Sequence, residues 1–519
     1  MAPIDGVGRR RRAGRRVAAT LALAALTAGV FASNTNRAEA APGQPIRAGA
    51  LYFGTWNAGA SNIIDATKRV YGRDGDWWGG VRDYSGQDPS VPTNRWLWPD
   101  EDFSHLKPAI GWYDDSQPTT VEKHIAQATS AGLSFFTFYW YWDGHQGAET
   151  IAAGLHSFLA ARNRDRMDFA IAVCAHSYGD GRLEIPKAQY KQAVQTIAGY
   201  VAEPNYLRAN DGRPIVELCD TRGLGSGSEA DIKAFVDAVR AAVLERTGEK
   251  ILVLVHRDLG LDPGPLGANG RYCGARIDTV GQSYKRYVNE QRSFFAATPG
   301  TFIRCATSDF DERPRYPHMV PDEARIRFFP DQTPELFAKS LVHVRDDIAE
   351  STSRPAAVDS FVQMYAWNEW HEGGIIEPNV RDGCLHLNII QRELALPGTG
   401  CGRPPALSVE AKRKQRLTKK RKAIVVRVAC DEDCDVTATA KLRPRKAGKA
   451  KPATAFLRAG QQAKLKLALK KKVRKRIERK LRRGKMVRAM VSIHAADLAT
   501  DATAARAKVR ITGKKRKRR

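Results

Sequence analysis

Phe361-Val362-Gln363-Met364-Tyr365-Ala366 runs straight into Trp367-Asn368-Glu369-Trp370-His371-Glu372. An apolar run of strand length gives way at once to two carboxylates three apart, fenced by indoles and an imidazole. A strand that empties into polar and aromatic residues at its C-terminal end is what a barrel enzyme shows at the rim that carries its chemistry. If the chain turns helical after Asn368, Glu369 and Glu372 share a face with Cβ atoms ~5–6 Å apart. That spacing is compatible with the ~5–5.5 Å carboxyl separation of retaining glycosidases rather than the ~6.5–9.5 Å of inverting ones.

Working outward, seven further apolar, β-rich runs precede this one: Leu51–Trp56, Ser134–Tyr141, Asp168–Cys174, Pro214–Cys219, Ile251–His256, Thr279–Ser283 and Phe302–Ala306. Between them Thr119–Ala131, Ala188–Val201, Glu229–Arg246 and Pro334–Ala349 carry apolar residues at helical spacing. Eight βα repeats predict an α/β fold, a (β/α)8 TIM barrel over residues 41–402. A doubly wound open sheet is the alternative, but no glycine-rich phosphate turn follows the first run. The predicted strand ends carry Trp56, Tyr139, Trp140, His176, Asp220, His256, Asp258, Tyr284, Asp309 and Asp311. So many aromatic and acidic residues on one rim suit a sugar, whose apolar face stacks on a ring while its hydroxyls need carboxylates and amides.

Charge divides the chain. Residues 403–519 hold 40 Lys+Arg against 8 Asp+Glu, a net of +32, whereas residues 41–402 hold 37 against 46, a net of −9. The +28 of the whole chain therefore belongs to its C-terminal part and says nothing of the barrel's substrate. Residues 403–513 alternate as short antiparallel strands (Ala423–Ala429, Asp435–Leu442, Ala463–Leu469, Val487–His494, Ala507–Ile511) with one basic helix, Val473–Arg483. They predict a small basic all-β, immunoglobulin-like sandwich, closed by the basic tail 514–519. Adhesion to an anionic cell-wall polymer is one use for it, solubility another. Specific nucleic-acid binding is not expected without interleaved aromatics.

Residues 1–40 read as a signal peptide: Arg9–Arg12, Arg15 and Arg16, an apolar stretch from Val17 to Ala32, and Ala38-Glu39-Ala40 as the cleavage pattern. The product is expected to be secreted or held at the cell surface, an uncleaved anchor being the alternative. Eight cysteines in an exported chain permit disulfides. Cys430 with Cys434 and Cys384 with Cys401 are the candidate pairs, whereas Cys174, Cys219, Cys273 and Cys305 lie in apolar runs and read as buried free thiols. No metal site and no cofactor is expected.

Asn368-Glu369-Trp370-His371-Glu372-Gly373 with Ile376-Glu377 resembles the closing signature of glycoside hydrolase family 99, the endo-α-mannosidases. With Trp367 and Pro378 it is similar to the wider family-99-like, WbsX-type polysaccharide proteins. Tyr52-Phe53-Gly54-Thr55-Trp56, Pro108–Asp114 with Pro118, Tyr139-Trp140-Tyr141, and Asp309–Arg315 resemble further family segments in the same order. The resemblance covers roughly residues 50 to 380. It implies retaining hydrolysis of α-linked glycans without a metal. Glu369 would be the base that deprotonates the sugar 2-hydroxyl, and Glu372 the general acid and then base. Spacing alone equally allows Glu369 as a direct nucleophile. Tyr139 and Trp140 would line subsites and Tyr284 would contact the reacting sugar. Tyr52, Trp56, His176, Asp311, Arg315, Trp367, Asn368, Trp370, His371 and Glu377 complete the expected substrate-binding set. The chain departs from endomannosidases in carrying His176 near the end of its third strand and Gly374-Ile375 after the signature. A bacterial exopolysaccharide or another α-glycan is therefore as admissible a substrate as mannan. A non-catalytic glycan-binding protein and a polysaccharide-assembly transferase are the alternatives in function.

Overall fold

The protein is seen in a computed structural model that describes residues 45–57, 78, 81–82, 102–177, 182–275, 281–313, 326–350, 357–418, 422–444, 447–499 and 501–513. The signal segment 1–40, Arg315 and the tail 514–519 lie outside the described residues.

In chain order the first eleven strands are β1 (Arg47–Tyr52), β2 (Phe135–Asp143), β3 (Ala148–Thr150), β4 (Asp168–Cys174), β5 (Ile215–Asp220), β6 (Leu252–His256), β7 (Gly270–Tyr272), β8 (Thr301–Thr307), β9 (Phe361–Tyr365), β10 (Asn368–Glu369) and β11 (Gly374–Ile375). Eight of them, β1, β2 and β4 to β9, pair in parallel in the order β1-β9-β8-β7-β6-β5-β4-β2, and a β1–β2 pairing closes the ring. This is the (β/α)8 TIM barrel that the alternation predicts. The short β3 folds back antiparallel on the end of β2.

Helices α1 (Pro118–Ser130), α2 (Ala153–Ala160), α3 (Tyr190–Val201), α4 (Glu229–Thr247), α5 (Tyr284–Ala296), α6 (Pro334–Glu350) and α7 (Leu385–Glu393) connect and follow the strands. The sequence sets their ends. In α4 the Ser228 side chain accepts from the Asp231 N–H, Glu229 and Asp231 fill the first turn, and Gly248 closes the helix at φ 75°.

Of the expected run Thr279–Ser283, the first two residues lie outside the described residues and the last three form no strand; the sixth barrel strand is Gly270–Tyr272, between β6 and β8. Three residues are too few to show alternation. Gly270 also hides its strand character: a Cβ there would lie 2.2 Å from the Thr301 carbonyl oxygen, so only glycine lets the strands approach. Ser283 belongs to the next element, its side chain accepting from the Arg286 N–H as the N-cap of α5.

The four cysteines expected as free thiols are instead bonded, Cys174 to Cys219 and Cys273 to Cys305. Each pair spans neighbouring strands, which brings Cα atoms to 4.7 and 5.4 Å although the residues are 45 and 32 apart in sequence. Cys384–Cys401 and Cys430–Cys434 are bonded as well.

Beyond the barrel lie β12 (Leu407–Glu410), β13 (Lys414–Arg416), β14 (Ala423–Cys430), β15 (Cys434–Arg443), β16 (Ala453–Leu457), β17 (Gln462–Ala468), helix α8 (Lys471–Arg482), β18 (Val487–Asp497) and β19 (Ala502–Thr512). They form a three-stranded sheet, β12-β14-β17, and a five-stranded sheet, β13-β19-β18-β15-β16. In β15 buried and exposed residues alternate without a break, which puts Val436, Ala438, Ala440 and Leu442 into a core with Val426, Val428, Leu467 and Val491. Barrel and sandwich meet through the Arg162 guanidinium, 4.5 Å over the Phe456 ring, and through Arg458, 2.8 Å from Asp165. Among the described residues no helix is long and apolar enough to cross a membrane.

Candidate active site

After β9 the chain does not turn helical. Asn368–Glu369 and Gly374–Ile375 pair antiparallel, and the Glu372 N–H donates to the Glu369 carbonyl at 3.0 Å. That bond makes 369–372 a four-residue turn, whose ends lie within ~7 Å at Cα. Glu369 and Glu372 are thus brought together by a hairpin rather than a helical turn, and both carboxylates act on Tyr139 and Tyr365. Glycine is needed twice in it. Gly373 has φ 66°, and a Cβ on Gly374 would sit 2.5 Å from the Tyr365 ring.

Two tyrosines enclose the pair. Alternation along β9 points Gln363 and Tyr365 the same way. The Tyr365 hydroxyl donates to Glu372 Oε2, and burial followed by the charges of Glu372 and Glu369 pushes its pKa well above the ordinary phenol value. On β2 the Tyr139 hydroxyl is raised in the same direction, by burial first and then by Glu369, with Glu372 contributing. Both phenols therefore remain protonated donors at neutral pH, beside two carboxylates. Arg327 lies close enough for Glu372 and Tyr365 to add to its raised pKa, although its main partner is Glu312 at 2.7 Å. Asp309 is pushed up to about 8 by desolvation and then by Asp311, so it is a neutral acid at pH 7. Asp311 buttresses the turn through its backbone, its N–H donating to the Glu372 carbonyl at 2.5 Å, while its carboxylate holds Arg313 at 2.7 Å. His176 is bonded through Nδ1 to Asp220 at 2.7 Å and stacks 5.9 Å from Tyr141. Tyr141 in turn meets Phe53 edge-on.

Several residues expected to line subsites instead hold the turn in place. Asn368 is fully buried. Its amide clamps the Phe53 backbone from both sides, accepting from N–H at 2.8 Å and donating to the carbonyl at 3.0 Å. Trp56 is buried and donates through Nε1 to the Asn368 carbonyl at 3.0 Å. Trp370 donates to the Tyr113 hydroxyl at 3.1 Å, and Tyr113 donates to Glu377 Oε2 at 2.8 Å. Glu377 faces His124 Nε2 at 3.2 Å, and His124 Nδ1 meets the Tyr52 hydroxyl at 2.9 Å. Trp367 packs on Phe136, and His371 lies 5.3 Å from Trp56. Tyr52, Trp367, Trp370, His371 and Glu377 are all 1% exposed or less. Side chains enclosed to that degree present no face to a sugar.

Trp140 faces away from the site. Period 2 along β2 points it away from Tyr139, and its Nε1 donates to Glu149 at 2.9 Å in the layer between barrel and helices. Tyr284 is buried at the start of α5, and its hydroxyl is taken up by the Thr307 carbonyl at 2.6 Å, at the C-terminal end of β8. Sequence reading missed Tyr365, Arg327, Tyr113 and His124. Tyr365 was within reach, because it follows Gln363 by two in a strand whose end was already assigned to the site. Among the described residues the one His/Cys/Asp/Glu group at metal-ligand spacing is Cys174, His176 and Cys219, and its two sulfurs are bonded to each other.

A closed parallel barrel with two carboxylates and a phenol at the C-terminal end of its last strand, and a second phenol beside them on β2, defines the class: a (β/α)8 barrel protein whose candidate site lies on the rim where such proteins keep their chemistry. Residues 269–390, which contain Tyr365, Glu369 and Glu372, match the family model described as Glycosyltransferase WbsX. Among solved structures the chain is similar to the GH99 endo-alpha-mannosidase from Bacteroides thetaiotaomicron, at 16% identity and TM-score 0.41, covering 56% of this chain and 82% of that one. The same enzyme in complex with BIS-TRIS-propane gives 14% identity and TM-score 0.44 over 67% and 96%. An endo-beta-1,4-mannanase from Thermotoga petrophila gives 11% and 0.33 over 78% and 96%. No curated protein matches the chain.

Proposed function

We propose that this protein is an exported glycoside hydrolase that cleaves α-linked polysaccharide within the chain and with retention of configuration. The observation that carries the reading is the turn that places Glu369 and Glu372 together beside Tyr139 and Tyr365. Retaining cleavage needs one carboxyl to act near the anomeric carbon and a second to protonate the leaving oxygen. Following the family resemblance, Glu369 takes the proton of the sugar 2-hydroxyl, O2 attacks C1, and the C1–O bond to the leaving sugar breaks as the proton of Glu372 passes to the departing oxygen. In the second step water gives its proton to Glu372 and attacks C1, the C1–O2 bond breaks, and Glu369 returns the proton to O2. Tyr365, a neutral phenol against Glu372, keeps that carboxyl oriented through both steps. Export rests on the N-terminal arginines, apolar stretch and Ala38-Glu39-Ala40.

The name of the matched family favours a second reading, in which a sugar hydroxyl replaces water in the second step and the product is a transferred glycan. The two are separated by incubating the purified protein with α-mannans, α-glucans and bacterial exopolysaccharides. Wild type is expected to release shortened oligosaccharides and Glu372→Gln none. Products longer than the substrate would favour transfer, and no change in any glycan of the panel would overturn both.

A further inference from the structure

The register of the five-stranded sheet sets cations directly opposite one another. Arg443 on β15 faces Arg488 on β18, Arg488 faces Arg510 on β19, and Arg510 faces Lys414 on β13. All four are exposed. Two residues along on the same face, Lys441 and Lys508 flank Met490, and beyond them Arg506 faces Ser492. Like charges directly opposite each other destabilise a sheet, and among the described residues none of these cations meets an acid. In the three-stranded sheet of the same sandwich an acid interrupts the row: Arg427 faces Lys464 on one side and Glu410 on the other.

The acids of this domain are elsewhere. Six of its eight, Asp431, Glu432, Asp433, Asp435, Asp497 and Asp501, sit at the β14–β15 and β18–β19 turns. There Asp433 and Asp435 meet Arg166 and Arg162 of the barrel. From Cys434 to Arg443 β15 runs nine steps, roughly 30 Å at ~3.4 Å each. The sandwich is thus polarised, with six of its eight acids toward the barrel and the cation row at the far pole. Helix α8 extends the far pole. A Cβ on Gly448, just past β15, would lie 3.2 Å from Val473, and one on Gly513, just past β19, would lie 3.5 Å from Leu481. The helix is anchored by Ile477 and carries Lys471, Lys472, Arg474, Lys475, Arg476 and Arg479.

We infer that this pole is a binding surface for an extended anionic polysaccharide. A row of four cations on adjacent strands spans ~14 Å, at ~4.8 Å per strand. That matches a polymer with repeated charge better than a single small anion. Phe456 is the one aromatic residue between 403 and 519, and it lies at the opposite end under Arg162 and Arg458. The pole therefore has no ring on which a nucleic-acid base could stack. Met486 is the one exposed large apolar side chain among the domain's described residues, too little to insert into a bilayer. The surface would hold the enzyme on an acidic matrix while the barrel works.

The test uses the full chain and a variant with Lys414→Gln, Arg443→Gln, Arg488→Gln and Arg510→Gln, against a control with Arg403→Gln, Arg427→Gln, Lys464→Gln and Lys466→Gln, which removes the same charge from the rest of the domain. Probes are polygalacturonate, dextran sulfate, uncharged dextran, a short DNA duplex and phosphatidylglycerol vesicles. Wild type should bind the two anionic polysaccharides with an affinity that falls steeply with salt. The far-pole variant should lose roughly tenfold or more at ~0.15 M salt, where exposed charges farther apart than ~8 Å are screened. The control should change less than about twofold, and the far-pole variant should melt no lower than wild type because like-charge repulsion is relieved. Equal losses in both variants, no binding to either polysaccharide, or tighter binding to duplex or vesicles than to polysaccharide would each overturn the inference.

Discussion

Glu372→Gln is expected to lower kcat by roughly 10²–10⁴-fold on whichever glycan the wild type cleaves, the range that one positioned general acid supplies. Gln has the same shape and keeps a hydrogen-bond acceptor for the Tyr365 hydroxyl, so the turn should survive. The substitution removes only the capacity to give and take a proton. Glu369→Gln should fall by a similar factor, because the first step has no base without it. The double variant should fall by much less than the product of the two, since residues that act in one step are not additive. Substrates with an activated leaving group separate the roles. They need no protonation, so Glu372→Gln should regain most of its first-step rate on them while Glu369→Gln does not. A loss confined to KM in either variant would contradict the assignment.

The second large effect is on stability. Glu217 lies on β5 in the barrel interior, fully buried. Its Oε2 accepts from Gln363 Nε2 at 3.3 Å, and Oε1 has no hydrogen-bond partner. Desolvation raises its pKa to about 8. The sign follows from linkage. Above pH ~4.5 the unfolded chain releases this proton while the folded chain keeps it, so stability falls with rising pH until the folded group ionises near 8. Each pH unit in that window is worth about 1.4 kcal/mol, on the order of 5 kcal/mol in all. Asp309, at about 8, and Asp115, at about 6, act in the same direction. Glu217→Gln should therefore leave stability near pH 4.5 almost unchanged and reduce the loss between pH 5 and 8 by one proton's worth. Gln363 Oε1, also without a partner, is an acceptor for the introduced amide. Denaturant unfolding across that range checks it, and equal slopes for the two proteins would contradict the buried, protonated state of Glu217.

The barrel was legible because eight runs alternate with helical segments, and that pattern depends on local sequence alone. What stayed hidden depended on neighbours distant in sequence. β7 could not be read from Gly270-Arg271-Tyr272, because its glycine is required by Thr301 on another strand. The pairings of Cys174 with Cys219 and Cys273 with Cys305 follow from strand adjacency. In the site, Glu369, Glu372 and Tyr139 were legible from position and chemistry. Trp56, Asn368, Trp370 and Glu377 carry the same residue types for another purpose: they form the buried clamp that fixes the turn. Composition cannot distinguish a polar side chain bonded inward from one aimed at a ligand. Trp140 shows the same limit in one dimension, since parity along β2 separates it from Tyr139 although the two are adjacent in sequence.

The central claim is that the carboxyl pair on the rim turn carries out a double displacement at an anomeric carbon. Its most direct test is proton NMR of the first-formed product during cleavage of an α-linked glycan, before mutarotation. The α-anomer is expected to appear first, and neither Glu369→Gln nor Glu372→Gln should produce it at a comparable rate. A β-anomer appearing first, or an undiminished rate in either variant, would contradict it.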